Sequence, residues 1–188
     1  GAAVSVSYPN IGASNVCMAC HLGREVGANI TAVTASDGIL PFINSHYLAA
    51  GGMVFNEAGY EYVGSDYANY GYHKNVGVGN VQNTGTDGPC VTCHMSSAEP
   101  HKFDVVEKDA NGVITAVTST KCANCHAGLT PAALESTKEE FHHALVELEE
   151  ALAEVGIYYY GAHPYFYSAP YVVGGTNTAF TDWAGVYG

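Results

Sequence analysis

Cys17-Met18-Ala19-Cys20-His21, Cys90-Val91-Thr92-Cys93-His94 and Cys122-Ala123-Asn124-Cys125-His126 are three copies of one pentapeptide pattern, and together they use every cysteine in the chain. Cys-x-x-Cys-His is the covalent attachment signature of c-type haem. The two thiols add to the two vinyl groups of the porphyrin, and the adjacent His binds iron from one face. A thioredoxin-like pair needs only one Cys-x-x-Cys and a βαβ setting. Zinc knuckles use such pairs without requiring His after the second Cys. Six cysteines could also form disulfides, but a two-residue gap between partners is too tight to be common. Three intact copies with nothing left over predict three haem c groups, held by Cys17, Cys20 and His21, by Cys90, Cys93 and His94, and by Cys122, Cys125 and His126.

That cofactor load reshapes the expected fold. The 188 residues have the length of one ordinary domain. With three porphyrins to enclose, each stretch of chain is expected to use a haem as its core. The 22 Gly and 7 Pro argue against long regular elements. We therefore expect a mostly irregular, coil-rich multihaem fold with short helices, one longer C-terminal helix and a small β-hairpin. It is read as a single triheme domain over 1–188, with 157–188 as an aromatic tail rich in Gly and Pro.

Local patterns place the regular pieces. Phe103 to Glu107, then Asp109-Ala110-Asn111-Gly112, then Val113 to Thr118 read as a hairpin with Asn-Gly as its turn signal. Ile-Thr-Ala-Val-Thr occurs at 30–34 and again at 114–118, a weak hint of duplication. Ser136 with Glu139 has a capping-box pattern. Phe141, Leu145, Leu148, Leu152 and Val155 then draw one apolar stripe, and Gly156 is a natural stop. Thr130-Pro131 offers an earlier turn leading into this helix. Each attachment motif is expected on a short helical turn. The tail carries Tyr158, Tyr159, Tyr160, Tyr165, Tyr167 and Tyr171 among interleaved Gly and Pro. It is expected to pack over the protein's own haems or on a neighbouring subunit, since aromatic residues favour interfaces.

The formal net charge is −12 with only 6 Lys+Arg. Nucleic acid and anionic membranes need clustered basic residues, so neither is an expected partner. An acidic surface suits cationic or metal-oxide electron acceptors, and equally suits simple solubility. No stretch reaches the length of a membrane span. Haem c is attached after export, and Gly1-Ala2-Ala3 resembles a processed terminus. The expected location is outside the cell or on its surface, with the periplasm as the alternative.

The sixth iron position decides between electron transfer and catalysis. Nine His minus three in the motifs leaves His46, His73, His101, His142, His143 and His163. Met18 and Met95 are too close to their own motifs to reach the far face, whereas Met53 could. His46, His73 and His101 lie in flexible segments flanked by the motifs and are the expected distal ligands. His142 or His143 on the helix, or His163 in the tail, could replace one of them. With all irons six-coordinate the chain is an electron carrier and not an enzyme. With one left open it is a multihaem reductase acting on a small oxyanion or peroxide.

The attachment motifs, Ser45-His46-Tyr47-Leu48 leading to Gly59-Tyr60-Glu61-Tyr62, Gly88-Pro89 before Cys90, and His101-Lys102-Phe103 after Met95 carry a resemblance to the extracellular multihaem c-type cytochromes of metal-reducing bacteria, including those that polymerise into filaments. Gly156-Ile157-Tyr158-Tyr159 extends it. The resemblance implies bis-His ligation, low potentials and closely spaced haems. It also implies redox partner proteins, extracellular electron acceptors or further copies of the chain as partners. Similar filament-forming proteins carry four or more haems, and three motifs are a departure from that number.

Overall fold

Why so few side chains are buried becomes clear from the order of elements. The structure, a computed structural model, describes residues 5–32, 43, 47–59 and 72–182. The chain divides into two compact units, 1–33 with 42–134, and 34–41 with 135–188. The described part of the first unit holds α1 (Asn15–His21), α2 (Gly27–Ala32), α3 (Ala50–Val54), α4 (Gly88–His94) and the hairpin strands β1 (Val106–Lys108) and β2 (Ile114–Val117). Single 3-10 turns fill Gly12–Ser14, Tyr72–Asn75, Val81–Asn83, Pro100–Lys102 and Cys122–Asn124. The expected coil-rich architecture with short helices is what the chain adopts.

The described apolar core of the first unit is three side chains, Ile11, Met18 and Val26. Hydrogen bonds from buried hydroxyls do much of the remaining work. Ser14 has no exposed surface. Its hydroxyl donates to the Asp87 carbonyl at 2.7 Å and accepts the Val91 N–H at 3.0 Å. The Ser14 N–H bonds the same Asp87 carbonyl at 2.9 Å. The start of α1 is thereby fixed to the start of α4, across more than seventy residues of chain. On the other side of α4, the Gly88 N–H bonds the Gly77 carbonyl at 2.8 Å, and the Thr92 hydroxyl donates to the Thr84 carbonyl at 3.3 Å. Thr84 in turn accepts the Gly77 N–H at 2.9 Å. Gly88 stands at φ +79°, and a Cβ there would collide with the Ile11 carbonyl. Only glycine permits both the conformation and the approach. Pro89 then starts α4 without needing the donor it lacks.

The hairpin forms where its pattern placed it, with Val106 opposite Val117 and a bulge between Glu107 and Lys108. Asp109 organises the turn. Its carboxylate accepts the N–H groups of Asn111 at 2.8 Å and Val113 at 3.0 Å. Gly112 takes the left-handed position at φ +81°. These two N–H bonds hold the Asp109 carboxyl below its ordinary pKa.

The long helix α5 (Pro131–Glu154) is 24 residues long and belongs to the second unit from Glu135 onward. It starts earlier than the Ser136–Glu139 pattern suggests. The Thr130 hydroxyl accepts the Ala133 N–H at 3.1 Å, and Pro131 occupies the first turn, so Ser136 lies inside the helix. Its end is as expected. Gly156 at φ +81° bonds back to Ala153, and Ile157 bonds back to Leu152, the paired closure of a Schellman motif. The apolar stripe is not covered, with Phe141, Leu148 and Val155 each more than half exposed.

The described part of the tail pairs with itself. Strands β3 (Tyr158–Tyr159) and β4 (Phe166–Tyr167) pair antiparallel. Tyr160 stacks flat on Tyr171 with centroids 3.7 Å apart, and Tyr167 meets Tyr171 edge-on at 5.0 Å. The buried Tyr167 hydroxyl lies 3.2 Å from the His163 carbonyl, to which it donates.

Two outcomes follow. Gly88→Ala should destabilise the protein by about 1–3 kcal/mol, read from denaturant unfolding, because both φ and the Ile11 approach are violated. The Asp109 carboxyl should titrate below an unstructured Asp by NMR. A folded pKa below the unfolded one means the stabilisation is full above the unfolded value and is lost as pH falls through the folded one. Protection of the Asn111 and Val113 amides, compared with Asp109→Ala, should disappear across that window.

Candidate functional site

Three residues on one face of a helical turn are what the attachment spacing encodes. Positions i, i+3 and i+4 of a helix lie side by side. Cys17, Cys20 and His21 occupy them on α1, and Cys90, Cys93 and His94 on α4. Cys122 to Asn124 form a 3-10 turn, with His126 closing back on Cys122 through a 2.9 Å backbone bond. All six thiols are free, so no disulfide competes for them. Among the described residues no group of three or more His, Cys, Asp or Glu converges as a metal site.

The thiols open onto two cavities. One, of about 440 Å³, is lined by Cys17, Cys20 and His21 together with Cys90 and His94. Gly51 on α3 forms part of its wall, and a Cβ there would meet the Met18 sulfur and the His21 carbonyl. The other, of about 580 Å³, is lined by Cys122, Cys125 and His126 together with Cys93 and His73. Val76, Val78 and Val81 supply apolar wall. Both volumes fall within the roughly 300–1,000 Å³ of sites that enclose organic cofactors. Concave apolar walls bearing paired thiols and an imidazole fit a thioether-linked porphyrin.

Neighbouring thiols perturb one another. Burial first, and then the adjacent Cys17, push the Cys90 thiol above its ordinary pKa, while the Ser14 hydroxyl opposes this. Burial, then Cys122, then Cys90 push Cys93 up.

The nitrogen geometry is informative at two places. The His94 Nδ1 lies 2.7 Å from the Phe103 carbonyl oxygen. A carbonyl can only accept, so Nδ1 carries the proton and Nε2 is left with its lone pair for metal. Phe103 reaches this position at φ +58°, just after the Pro100–Lys102 turn. In the larger cavity, the His73 and His126 ring centroids lie 6.1 Å apart, with the ring planes tilted by 56°. Two imidazoles on opposite sides of one metal need about that separation, two bonds of about 2 Å each plus the two ring radii.

The remaining sequence candidates stand apart. His46 lies outside the described residues. His101 is exposed, lines neither cavity, and packs edge-on against Phe103 at 6.5 Å. His142 and His143 are exposed on α5, and His163 sits 5.9 Å from the Tyr165 ring in the tail. Ser14 and the Phe103 carbonyl were not legible in advance, because neither has a side-chain pattern that marks its role.

Tethering turns, thiol-lined cavities and an imidazole with a free Nε2 are the features that covalent attachment of c-type haem requires. The chain is 51% identical, over its whole length, to the C-type polyheme cytochrome OmcB from two strains of Geobacter sulfurreducens, DL-1/KN400 and ATCC 51573. The C-type polyheme cytochrome OmcC of the latter strain is equally similar at 51%. The chain spans about a quarter of the length of these relatives, 27% of OmcB and 26% of OmcC. No protein-family profile and no solved structure matches it.

Proposed function

We propose that this chain is an electron-transfer segment that carries three haem c groups as its core. Haem supplies reversible one-electron chemistry at iron when it is bound. The chain's own residues do the rest. Cys17, Cys20, Cys90, Cys93, Cys122 and Cys125 tether the three groups. His21, His94 and His126 are the proximal ligands. His73, His46 and His101 are the distal ligands, with His73 serving the site of His126. The scant described apolar core supports this reading, since bound porphyrin would supply the missing buried surface.

One observation carries the proposal: the His73 and His126 rings stand 6.1 Å apart across a thiol-lined cavity. A second imidazole fills the sixth position and closes the iron to substrate, which favours electron transfer over reduction of an oxyanion or peroxide. The relatives' description as polyheme cytochromes supports the same class of work. Export to the cell surface or beyond, redox proteins or external acceptors as partners, and association with further copies of the chain complete the reading. No described helix is long and apolar enough to cross a membrane.

Intact-mass spectrometry of the native protein should show three added haems, and fewer would end the proposal. In the oxidised protein, His73→Ala should convert one haem of three to high spin by EPR and visible absorption, and added imidazole should restore low spin. An unchanged low-spin spectrum would remove His73 from the ligand set. Stoichiometric carbon monoxide binding to the reduced wild type would instead favour the reductase.

A further inference from the structure

Helix α4 contributes to both cavities, and it does so with different sulfurs. Cys90 and His94 line the cavity that also holds Cys17, Cys20 and His21. Cys93 lines the cavity of Cys122, Cys125 and His126. Neither cavity is lined by residues of both the first and the third motif.

The supporting bonds have the same pattern. Ser14 fixes α1 to α4 through Asp87 and Val91. The third motif and the residues before it are held to segments that flank α4 in the chain. The Asn124 amide donates to the carbonyls of Gln82 and Asn83, each at 3.1 Å. The Ser96 and Ser119 hydroxyls pair at 2.9 Å, and the Thr120 hydroxyl donates to the Ser96 carbonyl at 2.9 Å. The first motif's bonds thus reach α4 and its N-cap, and those of the third motif and the residues before it reach the segments that precede and follow α4 in the chain.

We infer that the Cys90–His94 motif holds the middle haem of a linear row of three, with the Cys90 thioether beside the first motif's haem and the Cys93 thioether beside the third's. This rests on the three-haem reading above and adds to it a spatial order. The haems follow chain order, although the loops between motifs differ widely in length and could have delivered any order. The first and third haems then exchange electrons only by way of the α4 site.

Magnetic coupling between ferric haems reads this order directly. Three variants are needed, Cys17→Ala/Cys20→Ala, Cys90→Ala/Cys93→Ala and Cys122→Ala/Cys125→Ala, each checked by intact mass to hold two haems. In the oxidised state, the variants lacking the first or the third haem should each keep a coupled pair, seen as broadened EPR signals. The variant lacking the α4 haem should show two sharp, uncoupled low-spin signals. Coupling in that variant, or its loss in either of the others, overturns the order. Should the α4 variant not fold, the two terminal variants still decide, because any other linear order leaves one of them with uncoupled haems. A wild-type mass short of three haems would refute the parent reading instead. Full haem content with the wrong coupling pattern would refute the order alone.

Discussion

The Ser14 hydroxyl is the tie on which the first unit depends. It is wholly buried and makes two hydrogen bonds to α4, while its own backbone N–H makes a third to the same helix start. A buried hydroxyl stripped of partners would cost about 1–3 kcal/mol, so the approach of α1 to α4 is enforced in both directions. Gly88 is the steric counterpart of this tie, since nothing larger leaves room for the Ile11 carbonyl. Sequence elements more than seventy residues apart are thus set side by side by one hydroxyl and one missing side chain. Two attachment turns come with them.

Such reliance on backbone and hydroxyl bonds is what a chain with few buried apolar side chains requires. Thr84, Thr92 and Ser119 repeat the pattern around the third attachment turn. Thr92 ties α4 to a loop, and Thr84 and Ser119 tie loop to loop. Space is left instead where the thiols point. The two cavities there, of about 580 and 440 Å³, are of a size to take large planar groups.

Legibility followed the range of the interaction. The attachment spacing fixes a helical face locally, so the turns at Cys17, Cys90 and Cys122 could be read directly. Asp109-Ala110-Asn111-Gly112 encodes its own turn, and Gly156 its own helix stop. The start of α5 was ambiguous because two capping patterns lie six residues apart. Thr130-Pro131 prevailed because the Thr130 hydroxyl finds the Ala133 amide and Pro131 needs no donor. Long-range partners were not legible. Nothing local to His73 names His126, fifty-three residues on, and a carbonyl such as that of Phe103 carries no mark in the sequence. The tail showed its aromatic character plainly but not its partner, because Tyr160 meets Tyr171 through a return of the chain that Gly and Pro permit without specifying.

The bond from His94 Nδ1 to the Phe103 carbonyl has an electronic consequence. An imidazole that shares its proton with a backbone oxygen takes on part of the character of its conjugate base and pushes more density toward iron. Higher oxidation states are favoured by such a donor. On the proposed reading, the centre that His94 would serve is thereby biased toward holding a vacancy for an electron. In the proposed row of three, a bias at one member would tilt the energetic profile along the whole row, and the chain would set that tilt with the amide plane of a single residue in a left-handed turn.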